Sequence, residues 1–342
     1  MEMFNAGVPM TTQLIIDFIN GNHQSRAKVL EEFQAHNDEV FALIGKEYAQ
    51  GTYDRYVTAR SHVQDFIKFK YKKDDLEFRE LNYQFIKDYD FYLKTVRNCS
   101  NNTSLKYISN FKKIVLLAVA KKYLQKDPFK LFKGKKDKLK KKPLTQGELY
   151  SLETKKLSSV RLSLVRDIFV FQCYTGLAYI DVYQLKRENI KVGVDGELWI
   201  MSSRQKSKSK TDIPLLPRAL EIMEKYHDHP ICRTRGTILP VTSNQKMNEY
   251  LKEIATLCGI SSTLSTHKAR RTFASTVTLR NGVSINVVKE MLGHHSVKQT
   301  EDYAITEEQA VSEEMISYEP NYRQTNPQEK GQMITFMILY IT

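Results

Sequence analysis

A tyrosine, two histidines and an arginine fall in a fixed order near the end of the chain: His267-Lys-Ala-Arg270, then Leu292-Gly293-His294, then Tyr303. A phenol ordinarily titrates near ~10. At neutral pH it is a poor nucleophile unless one neighbour takes its proton and another holds the electrophile. Imidazole can accept the proton, and a guanidinium fork can grip two oxygens of a phosphate. The set therefore suits a tyrosine that attacks a phosphodiester. That attack also needs a group to protonate the leaving oxygen and a frame that fixes the geometry. Singly, each residue is a weak signal. H-x-x-R arises by chance, a histidine after a helix-ending glycine is often a cap, and Tyr303 is one of 19 tyrosines. The order and spacing together carry the reading. His267 and Arg270, one helical turn apart, project from the same face.

The elements that must position these residues are mostly helical. With 342 residues, 41% of them hydrophobic and 27% charged, the chain suits a soluble globular protein of one or two domains. A net charge of +13 favours a polyanionic partner, nucleic acid ahead of an anionic membrane surface. Cys99, Cys173, Cys232 and Cys258 show no C-x-x-C spacing and read as free thiols in a reducing, cytoplasmic setting. No signal peptide is evident. The apolar run Met333 to Thr342 is too short to span a bilayer; a terminal strand or docking tail is expected.

Apolar spacing of i, i+3/i+4, i+7 predicts a lone helix near 25–49 and then a bundle of three, near 53–70, 75–97 and 103–124. The last of these carries Lys112, Lys113, Lys121 and Lys122, and it runs into a segment, Lys130 to Lys142, in which 8 of 13 residues are lysine. Such a run reads as a flexible linker and as a strap for phosphates, with Lys135, Lys136, Lys138 and Lys140 in contact with DNA. Thr145-Gln-Gly-Glu148 opens the second domain as a capping box. An apolar helix over 164–174 follows. Strands are expected near 198–201 and 211–216 and helices near 217–227, 244–258, 267–281, 284–292 and 307–317. The expected division is 1–52 linker-helix region, 53–132 helical DNA-binding domain, 133–142 Lys-rich linker, 143–318 catalytic domain and 319–342 tail. The fold class is mainly α with a small β-sheet.

The combined pattern resembles the tyrosine recombinase (phage-integrase) family. His267-x-x-Arg270, Leu292-Gly293-His294 and Tyr303 match its carboxy-terminal signature. Tyr174-Thr-Gly-Leu-Ala-Tyr-Ile-Asp181-Val182 looks like its first motif, and Arg204-Gln-Lys206-Ser followed by Ile213-Pro-Leu-Leu216 looks like its lysine-bearing hairpin. The resemblance covers roughly residues 50–318, and the style of its motifs looks most like integrases of Bacteroidetes mobile elements. It implies a SAM-like core-site bundle, an α+β catalytic domain and strand exchange by a tetramer on paired DNA sites, with accessory factors possible. It implies that Tyr303 forms a 3′-phosphotyrosyl bond while Arg270 and His294 stabilise the phosphorane. His267 would be the general base, Lys206 would protonate the 5′-oxygen, and Asp181 would support the site from behind. No metal, ATP or other cofactor is implied.

Two departures stand out. The family's first motif carries an arginine where this chain has Ala178; Arg204, on the hairpin, is the leading substitute. The amino-terminal arm-binding domain of such integrases is expected to be absent. The competing readings are a type IB topoisomerase-like strand transferase and a catalytically impaired, integrase-derived DNA-binding protein.

Overall fold

The computed structural model describes residues 27–137, 142–205 and 209–303, together with Thr12. The expected helix at 307–317, the tail Met333 to Thr342 and the residues Lys138, Lys140 and Lys206 lie outside these. The chain divides into two compact units, Met1–Leu139 and Lys140–Thr342.

The first unit is a helical bundle of α1 (Val29–Ala42), α2 (Gln50–Tyr71), α3 (Tyr83–Thr95) and α4 (Asn101–Ala120). Its core is aromatic: Phe33, Phe66, Phe85, Tyr89 and Phe111 are buried, with the Phe66 and Phe85 rings 5.1 Å apart. Each such ring contributes roughly 1.5–3 kcal/mol on burial. The helix expected to stand ahead of the bundle is part of it. Val29, Leu30 and Phe33 of α1 enter the core, and the Asp75 carboxylate accepts the Leu30 N–H at 3.0 Å, so a distant loop caps the helix. α3 starts at Tyr83 rather than near 75 because Asn82 caps it, accepting from the Phe85 N–H at 2.9 Å. The Lys-rich segment is also more anchored than expected of a flexible linker. Asn101 and Asn102, opening α4, donate to the carbonyls of Lys135 and Asp137, both at 2.9 Å.

The second unit opens as expected with the Thr145–Glu148 capping box at the head of α5 (Gln146–Thr154). Its centre is α6 (Val160–Thr175), whose Val165, Ile168, Phe169 and Phe171 are buried. Gly176, at φ +66°, stops α6 in a left-handed conformation open to glycine. After α7 (Tyr179–Tyr183) comes a three-stranded antiparallel sheet in the order β1 (Ile190–Val192), β2 (Leu198–Ser203), β3 (Lys210–Pro214). Ile190, Ile200 and Ile213 are aligned across it and turn one face inward. β1 was not expected: its three residues are too few to show a period. Helices α8 (Pro217–Lys225), α9 (Pro230–Arg235), α10 (Asn244–Leu257), α11 (Thr266–Thr272), α12 (Ile285–Met291) and α13 (Val297–Glu301) complete the unit.

The expected single helix over 267–281 is broken into three. α11 gives way to a π-helical stretch, Phe273–Thr278, and then a 3₁₀ turn, Leu279–Asn281. Thr278 donates to the Phe273 and Ala274 carbonyls, drawing them from the regular ladder. α11 packs on α6, and Thr272 Oγ1 accepts the Leu144 N–H at 3.0 Å. The entry to this unit is thereby tied to the helix that carries His267 and Arg270. No helix among the described residues is long and apolar enough to cross a membrane.

Candidate active site

Tyr303 follows α13, with its side chain 9% exposed. Its hydroxyl lies 3.4 Å from His267 Nε2, and the His294 ring is centred 5.1 Å from the Tyr303 ring. His267 is exposed while Arg270, on the same helix, is buried. The Arg270 fork donates to the carbonyls of Gly176 and Leu292 and bonds the Tyr303 side chain. One guanidinium thus joins the end of α6, the end of α12 and the tyrosine. Burial, then the nearby charge of Arg204, lowers Arg270 to about 10.

His294 does not cap a helix with its ring. Its backbone N–H closes α12 by donating to the Lys289 carbonyl at 3.0 Å, while Gly293 takes φ +57°. The imidazole is free to turn inward, where Nδ1 lies 3.0 Å from Thr300 Oγ1. Burial and the charges of Arg270, Arg204, His267 and His295 push it down to about 3. It is therefore neutral in the DNA-free protein.

Arg204 leaves the end of β2 and crosses to α12, donating from Nη1 to the Gly293 carbonyl at 3.2 Å. Its charge acts on both Arg270 and His294, and its buried Nε–H has no partner among the described residues. Ser209, across the hairpin, donates to the same Gly293 carbonyl at 2.9 Å. Asp181 accepts the Gln205 N–H at 3.1 Å, so the described residues on both sides of 206–208 are moored. Ala178 opens α7 and brings no charge.

Tyr303, His267, Arg270, His294 and Arg204 are thus brought together, and Asp181 reaches the site through the hairpin. The bundle lysines are otherwise engaged. Lys112 stands over Phe129, Lys113 over Tyr48 and Tyr56, and Lys121 bonds Glu32 at 2.7 Å. Lys122 takes a left-handed conformation just past α4, and Lys135 and Lys136 are exposed. Sequence reasoning missed Arg271, whose guanidinium lies 4.6 Å from the Tyr303 ring centroid. It also missed Ser275, Thr300 and Ser209. The doubled arginine at 270–271 was the one available sign; the hydroxyls carry none.

A tyrosine attended by two histidines and three arginines, on a mainly helical domain that follows a helical bundle, suits an enzyme that breaks and rejoins DNA. Residues 28–139 match the phage integrase SAM-like domain and residues 129–309 match the phage integrase family. The chain belongs to the phage integrase family and is a site-specific tyrosine recombinase acting on DNA. It is 25% identical over 210 residues to tyrosine recombinase XerD of Staphylococcus aureus (strain N315), covering 58% of this chain and 70% of that protein. With XerD of Staphylococcus haemolyticus (strain JCSC1435) it shares 24% over 223 residues, 60% and 72% of the two chains. In fold it is similar to a lambda integrase(75-356) dimer bound to a COC′ core site, at TM-score 0.66 and 16% identity over 82% of this chain and 96% of that one. The Tn1549 transposon integrase in complex with a circular intermediate DNA gives TM-score 0.61 and 12% identity over 85% and 99%.

Proposed function

We propose that this recombinase cuts DNA through a 3′-phosphotyrosyl intermediate at a site where Arg204 takes the place of the arginine missing at Ala178. The observation that carries this is the position of Arg204, joined to the Gly293 carbonyl and acting electrostatically on both Arg270 and His294. As the Tyr303 oxygen bonds phosphorus, its proton passes to His267 Nε2. The bond from phosphorus to the 5′-oxygen breaks, and Lys206 protonates that oxygen. Arg270, Arg204 and His294 hold the non-bridging oxygens as negative charge builds on them. The phosphotyrosyl bond conserves the energy of the broken diester, and attack by a 5′-hydroxyl reverses the steps.

The biological role we infer is integration or excision of a mobile element, of the kind carried by Bacteroidetes, in the cytoplasm. Four protomers would act on paired sites, by analogy with a lambda integrase tetramer bound to a Holliday junction. Lys112, Lys113, Lys122, Lys135, Lys136, Lys138 and Lys140 are proposed phosphate contacts, with Lys121 held back by its pair with Glu32.

The test is a nicked suicide substrate built on the core site mapped from the element's junctions. Wild type is expected to give a covalent adduct and Tyr303→Phe none. Arg204→Ala should bind DNA normally but cleave about 10²–10³-fold more slowly. Lys206→Ala should recover on a substrate with a bridging 5′-sulfur, whose leaving group needs no proton. Wild-type cleavage by Arg204→Ala would remove that residue from the mechanism. Absence of any wild-type adduct would favour a protein that only occupies sites, and relaxation of supercoils without paired sites would favour a topoisomerase-like activity.

A further inference from the structure

Arg270 reaches two carbonyls and the Tyr303 side chain, while the tyrosine's backbone and the face of its ring are met by other groups. We propose that Arg271 and Ser275 form a two-point clamp that holds the nucleophile in its own protomer's site. This rests on the reading of Tyr303 as nucleophile.

Arg271 donates from Nη1 to the Asp302 carbonyl at 2.9 Å, and its guanidinium covers the Tyr303 ring at 4.6 Å from the centroid. The buried Ser275 hydroxyl donates to the Tyr303 carbonyl. The two contacts grip successive carbonyls, those of Asp302 and Tyr303. They come from positions four apart on α11 and its π-helical continuation, the same stretch that supplies His267 and Arg270. A planar cation against the ring face fixes the ring plane, and with it the direction of the hydroxyl toward His267 Nε2, 3.4 Å away. The Tyr303 ring also meets the His294 ring, at 5.1 Å between centroids. The π-helical segment gives the clamp its form. A continuous α-helix would carry Ser275 to a different angle about the axis from the one that reaches Tyr303. Arg271 and Ser275 are positioning residues: neither needs to touch the phosphate.

The experiment uses the full chain on the nicked substrate and on its bridging 5′-sulfur counterpart, under single turnover at saturating DNA. Arg271→Ala and Ser275→Ala are expected to cleave roughly 10–100-fold more slowly, the cost of a misplaced nucleophile, with unchanged DNA affinity. The 5′-sulfur should not rescue them, because the defect lies in attack and not in departure. It should rescue Lys206→Ala, which sets the control. Confinement is read by mixing Tyr303→Phe, which has a pocket but no nucleophile, with Arg270→Ala, which has a nucleophile but a broken pocket. That mixture should give no adduct, and adding Ser275→Ala to the Arg270→Ala partner should let adduct appear. A wild-type rate in either single variant, rescue of either by the 5′-sulfur, or adduct from the unmodified mixture would overturn the clamp. Should Arg271→Ala fold poorly, Ser275→Ala carries the test alone. Lack of adduct with wild type would overturn the nucleophile assignment too, whereas wild-type cleavage by Ser275→Ala would overturn the clamp only.

Discussion

His294 shows how a single side chain can be tuned by the charges it works beside. Burial removes the water that would support its protonated form, and the guanidiniums of Arg270 and Arg204 place positive charge beside it. Its folded-state pKa of about 3 lies far below its ordinary 6.5. Between those values the unfolded chain binds a proton that the folded chain refuses. The stability that follows is fully present above pH 6.5 and is lost as pH falls toward 3, with a limiting slope of about 1.4 kcal/mol per pH unit. His36 and His62 are also lowered, each mainly by burial, and act in the same direction, so the test is a difference. Urea melts of wild type and His294→Asn between pH 7 and 5, above the ordinary carboxylate range, should show a shallower pH dependence in the variant. Equal slopes would mean that His294 binds its proton as readily in the folded protein as in the unfolded chain. In the proposed reaction, a phosphodiester seated among these cations would offset their charge and favour the imidazolium.

At the level of elements, the junction between the hairpin and α12 decides whether Arg204 reaches the site. A Cβ added to Gly293 would lie 2.8 Å from both Arg204 Cδ and Thr211 Cγ2, on a backbone at φ +57°. Gly293→Ala should therefore cost about 1–2 kcal/mol in backbone strain and also displace Arg204. Gly282 has φ +80° and open space around it, so Gly282→Ala carries the strain without the clash. Denaturant melts should show both variants destabilised, and adduct assays should show cleavage lost in Gly293→Ala alone. Matching activities would mean that the close approach is unimportant. This junction also marks where sequence reading stops. The helices were legible because their apolar periodicity is local, as were the Thr145 capping box and the hairpin strands. His267, Arg270, His294 and Tyr303 were legible as a set because their spacing is distinctive. The contact from Arg204 to Gly293 spans 89 residues, and no local pattern encodes it. The π-helical stretch was hidden for a different reason. Ser275 and Thr276 take the carbonyls of Tyr303 and Leu144 as partners, a choice that depends on which carbonyls tertiary packing brings near. β1 is too short to show a period, and α1 joins the bundle through a cap supplied by Asp75, 45 residues away from Leu30.

For the molecule as a whole, the net charge of +13 says that DNA attracts it but not which lysines carry the attraction. The structure separates candidates that sequence reading treats alike. Lys121 already has a carboxylate partner in Glu32 at 2.7 Å, so phosphate gains little from it unless that pair opens. Lys135 and Lys136 are exposed on an irregular segment pinned to the start of α4 by Asn101 and Asn102. Close approach to the bundle is built in here, because a Cβ on Gly134 would meet Leu105 Cδ2 at 2.3 Å. A segment held this way presents its ammonium groups with less entropy left to lose on binding than a loose linker has. Each lysine that neutralises a phosphate steepens the fall of log K with log salt by about 0.9. Removing Lys135 and Lys136 together should flatten that slope by roughly 2, uniformly across DNA sequences, and Lys121→Ala should leave it almost unchanged. Fluorescence anisotropy on a labelled core-site duplex from 50 to 300 mM salt (about that range suffices) would read both. A slope lowered equally by Lys121→Ala would show that the Glu32 pair gives way to phosphate. An unchanged slope in the double variant would place the electrostatic contact elsewhere on the protein.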